Sequence, residues 1–195
     1  MSTQTTNENL AAVLADLERV VAQIKPDQLD DATPCTEFDV AALQRHVLGW
    51  LTTFADGFAA PDGRTSSGID DYELPDNPAA AVRGAASRLT GAVRDGAAAR
   101  PLYLGDSSMP GELALGMILW EYLVHGWDLA RATGQPWAPP AAAVVESLEF
   151  APGMLSPDYQ GEGKAFAPRV PVPDDAPALD RLLALSGRDP NWTAQ

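Results

Sequence analysis

The run from Glu112 to Arg131, ELALGMILWEYLVHGWDLAR, constrains the fold more than any other stretch of the chain. It has no proline and is apolar on almost every side, which predicts a helix buried in a bundle or at the centre of a fold. Three polar groups interrupt it at helical spacing: Glu121, His125 and Asp128. At about 100° per residue, positions i, i+4 and i+7 fall within about 60° of one another. One narrow face therefore carries a carboxylate, an imidazole and a second carboxylate, while Trp120, Leu123, Val124, Trp127 and Leu129 cover the rest. A carboxylate among apolar groups is costly unless it is paired or bound to a metal. Glu-x-x-x-His on one face sets two ligands one turn apart, which suits a divalent ion. Its order and count differ from the His-Glu-x-x-His of zinc proteases. On this helix alone, a solvated stripe with Glu121 and His125 as an i,i+4 pair explains the pattern equally well.

The rest of the chain shifts that balance. Leu10, Val13, Leu14, Leu17, Val20, Val21 and Ile24 form a helical stripe over about 7–24. A second helix, about 39–59, begins at Asp39 as N-cap and buries Val40, Leu43, Val47, Trp50, Leu51, Phe54 and Phe58. His46 lies about 60° from Leu43 and about 40° from Trp50, at the edge of that stripe. A lone histidine there is more often a satisfied core residue than a ligand. The chain has only two histidines, however, and both fall mid-helix on or beside apolar faces. His46, Glu121 and His125 make a two-histidine, one-carboxylate set. Three protein ligands with one open position is the catalytic arrangement for zinc rather than the structural one. Zn²⁺ heads the candidates, and Ni²⁺ and Fe²⁺ also suit these donors.

A third helix is expected over about 78–98, capped by Asp76 or Asn77, and the fourth over 111–132, closed by Gly134. The loop 60–77 is long enough to be mobile or a lid. Residues 101–109 read as a short extended or irregular link. The C-terminal extension, 141–195, reads as a helix over about 141–150, a Gly/Pro-rich stretch, one extended segment at 167–172 and a last short helix at 177–185. The expectation is one all-α domain spanning 1–195.

A formal net charge of −14 repels phosphate backbones and anionic membrane surfaces, so neither nucleic acid nor membrane is an expected partner. Cys35 is the only cysteine, so no internal disulfide forms, which fits a reducing cytoplasm. The polar N-terminus lacks the pattern of a signal peptide.

Three strings then carry a resemblance: TPCTEFDV (33–40) leading to His46, EYLVHGWD (121–128), and LLALSGRDP (182–190). Together they resemble the actinobacterial metal-binding family related to the N-terminal domain of mycothiol-dependent maleylpyruvate isomerase, within the DinB/YfiT-like superfamily. The resemblance implies a DinB-like four-helix bundle of up-down-down-up topology with a divalent metal at one end of its core. Carried over by position, the ligands are His46, Glu121 and His125. It further implies a thiol-dependent transferase or isomerase using a low-molecular-weight thiol such as mycothiol, a small-molecule substrate, and a homodimer as the common assembly. Two features depart from the family pattern. Only about sixty residues follow the fourth helix, too few for the isomerase's full C-terminal domain, and a glutamate replaces one of the superfamily's usual three histidines.

Asp128 is expected to orient a ligand or pair with an arginine such as Arg131; as a fourth ligand it would mark a structural metal. Trp50 and Trp127 are candidate pocket residues. Cys35 reads as an inert buried thiol, and no catalytic residue is named. The pocket is expected between the second and fourth helices, closed by the 60–77 loop. A hydrolase using metal-bound water is the nearest enzymatic alternative. A non-catalytic bundle binding a small ligand or partner, with a structural metal or none, is the alternative from another class.

Overall fold

The computed structural model describes residues 2–65, 69, 72–156, 158–164 and 166–194. Four long helices make the body: α1 (Thr3–Ala22), α2 (Val40–Ala59), α3 (Pro78–Arg94) and α4 (Gly111–Ala132). A two-stranded antiparallel hairpin, β1 (Leu102–Leu104) with β2 (Ser107–Met109), joins α3 to α4. The extension adds α5 (Ala141–Met154) and α6 (Ala178–Leu185). The all-α expectation holds, the hairpin being the one sheet among the described residues.

Local chemistry sets the helix ends. The Ser2 hydroxyl accepts from the Thr5 amide, so α1 starts four residues before the expected Asn7. The polar Thr-Gln-Thr-Thr-Asn run there has no apolar period, which hid its helicity. Asp39 accepts from the Ala42 amide at 2.7 Å and Asn77 from the Ala80 amide at 3.0 Å, opening α2 and α3. α3 stops at Arg94 rather than at 98, because Gly96 turns left-handed (φ 94°) and a short 3₁₀ turn, Ala97–Ala99, follows. The irregular link expected at 101–109 closes instead as the β1–β2 hairpin around Gly105. Residues 167–172 form no strand. Val170 donates one bond to the Ala184 carbonyl, and the neighbouring prolines have no amide to extend a ladder.

α1 packs against α3 and α4, and α2 packs against the same two helices. α1 and α2, and likewise α3 and α4, thus lie across the bundle from each other, joined by the connections 23–39 and 95–110, while α2 and α3 are neighbours. Leu10, Leu14, Leu17, Leu43, Leu51, Leu89, Ile118 and Leu119 are fully buried at its centre. Tyr122 is fully buried and donates its hydroxyl to the Val47 carbonyl at 3.2 Å, fixing α4 against α2 beside Glu121 and His46. α5 packs on α4 and α6 on α5, which returns the tail to the bundle. Among the described residues no helix is long and apolar enough to cross a membrane.

Candidate metal centre

His46 stands in the second turn of α2 and Glu121 and His125 in the middle of α4. Glu121 Oε1 lies 3.4 Å from His46 Nε2 and 3.3 Å from His125 Nε2. The two imidazoles meet edge to face at 5.3 Å between ring centres. One donor atom from each residue falls within 4.8 Å of the other two. Tetrahedral zinc with bonds of about 2.0–2.1 Å sets its ligand atoms about 3.3–3.4 Å apart, so this donor set fits such an ion.

The far side of His125 is held as a metal-bound imidazole requires. Its Nδ1 lies 3.0 Å from Asp128 Oδ2. The carboxylate accepts, which fixes a ring proton on Nδ1 and turns Nε2 toward Glu121 and His46. Asp128 is completely buried, and Arg188 from beyond α6 donates to the same oxygen from Nε at 3.3 Å and Nη2 at 3.2 Å. Asp128 Oδ1 has no hydrogen-bond partner among the described residues.

Cys35, His125 and Asp128 form a second convergent donor group. A cation is disfavoured there. The Arg188 guanidinium already occupies Asp128, and His125 presents a proton on that side. Cys35 is buried, and burial pushes its thiol up to about 11 despite the nearby Arg188 charge. It therefore stays protonated at neutral pH, as expected of an inert thiol.

Charge within the triad is tightly coupled. Burial alone would raise the Glu121 carboxyl, but the His125 charge and hydrogen bonds from both histidines outweigh it and hold the group well below the usual carboxylate range. Burial alone would lower His125, but the Glu121 charge and the Asp128 hydrogen bond raise it to about 9.

The triad opens into a cavity of about 730 Å³. Trp50 and Phe54 of α2, Trp120 and Met117 of α4, and Leu104 of β1 line it. The tail closes it. Residues 161–164, 166–168 and 186–188 form one wall. The sequence reading missed that wall, since a Gly/Pro-rich stretch shows no periodicity to place it. The LSGRD string turns out to be its fastening. Ser186 accepts from Trp120 Nε1 at 2.9 Å, Gly187 turns left-handed (φ 79°), and Arg188 reaches Asp128.

One expectation needs correcting. Trp127 does not line the cavity: two residues beyond His125 puts it about 200° around the helix, and it packs into the core instead. Trp120 takes the place expected of it. The tail closes the cavity, and the described residues of the 60–77 loop do not line it. The described residues of that loop pair with β1 through Gly63 and Arg64 and cover α2 at Gly49 through Tyr72, and none lines the cavity. Residues 66–68, 70 and 71 lie outside the described residues.

Residues 10–130 match the sequence model of the family described as the mycothiol maleylpyruvate isomerase N-terminal domain. The chain belongs to this family. Two relatives share its length: the uncharacterized proteins Rv0738 and MT0763 of Mycobacterium tuberculosis, strains H37Rv and CDC 1551. Each is 33% identical over 172 residues, covering 87% of this chain and 90% of the relative. No solved structure matches the chain significantly. The family match stops at residue 130, so the tail that walls the cavity lies beyond it.

The match includes Gly126, the glycine of the HGWD string. Its role here is steric. A Cβ at Gly126 would stand 2.2 Å from Cη2 and 2.5 Å from Cζ2 of Trp137. Gly126→Ala is expected to cost about 1–3 kcal/mol through this overlap, exceeding the gain of about 1 kcal/mol in helix propensity. Thermal unfolding followed by circular dichroism should show a melting point lower by several degrees. An unchanged value would mean that Trp137 yields freely.

Proposed function

We propose that this protein is a metal-dependent transferase or isomerase using a low-molecular-weight thiol of the mycothiol type. His46, Glu121 and His125 would hold the ion, with Zn²⁺ the first candidate. The observation that carries this reading is the convergence of three donor atoms at the floor of a large cavity, with Asp128 orienting His125 from behind. When bound, the metal supplies a Lewis acid that lowers the pKa of a thiol.

The chain's own residues do the remaining work. Asp128 holds the His125 tautomer, and Arg188 balances the Asp128 charge. Trp50, Phe54 and Trp120 give the cavity beside the triad an aromatic lining. A structural metal would need a fourth protein ligand. Asp128 is engaged behind His125, and Cys35 lies on that same side, so no further ligand from the described residues completes the set. This favours an open position, and with it catalysis over a purely structural metal. Small molecules are the fitting partners. The net charge of −14 disfavours nucleic acid and anionic membranes, and the single cysteine suits a reducing cytoplasm.

The test is consumption of mycothiol by the purified protein in the presence of a panel of activated electrophiles. Thiol loss should depend on the protein, stop on removal of metal with chelator and return when Zn²⁺ is added. Thiol loss indifferent to chelator, or none with any electrophile, would sink the reading.

A further inference from the structure

The cavity wall carries chemistry that holding a metal does not use. Trp50 and Phe54 stack at 5.3 Å between ring centres with planes 23° apart. Trp120 and Phe166 meet at 5.4 Å. All four side chains line the one cavity, and they come from α2, α4 and the tail.

Charge bookkeeping points the same way. Arg188 is committed to Asp128, and the two cancel. With Glu121, a divalent ion held by the triad would leave one positive charge, which a single thiolate would neutralise. The remaining charged groups on the cavity wall are Glu37, Glu162 and Lys164, a net negative set. Arg188, the one arginine on the described wall, is taken by Asp128, and the remaining cation, Lys164, is outnumbered by Glu37 and Glu162, so the wall as a whole disfavours a carboxylate or phosphate on the second substrate.

We infer that the second substrate is an uncharged, ring-bearing electrophile that lies against Trp50, Phe54, Trp120 and Phe166. Offset and edge-to-face contacts with such rings favour a flat apolar compound beyond the area they bury. A cavity of about 730 Å³ has room for a two-ring compound. The compound's role as acceptor rests on the transferase reading, but its seat on the aromatic wall does not. In the simplest reaction the thiol adds across an electron-poor double bond. The sulfur electron pair forms the S–C bond, the π pair moves to the neighbouring carbon, and that carbon takes the proton the thiol released.

The test is calorimetric titration of the protein as purified with 2-naphthol and with 2-naphthoate, which differ in charge but share the ring. The naphthol should bind about tenfold more tightly. Trp50→Ala and Phe166→Ala should each weaken naphthol binding about three- to tenfold. Phe166 is only partly buried in the tail, so its variant is expected to fold, and circular dichroism checks both. Naphthoate binding as tightly as the naphthol, or naphthol affinity unmoved in both variants, overturns the inference. Metal content is measured on the same samples. Naphthol preference without metal would sink the metal reading and leave this one standing.

Discussion

His46→Ala and Glu121→Gln are each expected to take metal content from about one ion per chain to near background, with the fold retained. The argument rests on what each side chain does in the bundle. His46 is partly exposed at the cavity floor, while Leu43 and Val47 on either side anchor α2 in the core. Removing the imidazole takes one of three donors and leaves the packing of α2 in place. Glu121→Gln keeps the shape of the side chain and removes its charge, so it separates ligation from filling of space. Elemental analysis of protein purified without chelators or nickel resins gives the metal content, and circular dichroism gives the fold. Metal lost together with the fold in His46→Ala would instead indicate a structural ion. Metal retained in both variants would remove the ligand assignment. No metal in the unaltered protein, and none taken up on addition, would leave Glu121 and His125 as a polar stripe.

Arg188→Ala should destabilise the protein by about 3 kcal/mol, since it strips a partner from a fully buried carboxylate. Asp128 would keep only His125, with Oδ1 still unpaired. For a chain of this size that loss corresponds to a melting point lower by about 6–12 °C. The tail should loosen at the same time, because Arg188 is one of its three polar ties to α4 among the described residues, beside Ser186 and the Trp192 carbonyl that accepts from Arg131. Two controls make the result specific. Arg181→Ala, on the exposed side of α6, should change stability by less than about 0.5 kcal/mol. The double change Asp128→Asn with Arg188→Met should recover part of the loss, because it removes the buried charge along with its partner. An Arg188→Ala protein as stable as the unaltered one would show that the buried pair contributes nothing net.

Much of this protein is determined by its sequence alone. The apolar periods of α1, α2 and α4 declare helices, because side chains 3.6 residues apart share a face and must be buried together. Asp39 and Asn77 declare where α2 and α3 begin, through side-chain bonds to free amides one turn on. Glu121, His125 and Asp128 declare one polar face, since spacing within a helix is itself geometry. Even Trp127 was open to exclusion by that rule, being two residues from His125 and so on another side.

Only the tertiary structure decides the rest. Helical spacing cannot bring His46 to Glu121 across 75 residues; the packing of α2 on α4, keyed by Tyr122 to the Val47 carbonyl, does so. Nor does any period place the residues of the tail. Glycines and prolines leave its path to contacts made elsewhere: Trp120 with Ser186, and Asp128 with Arg188. Local sequence encodes which residues share a face. Which faces then meet, and so what closes the cavity, depends on burial and hydrogen-bonded charge pairing between segments some sixty residues apart, which no local period encodes.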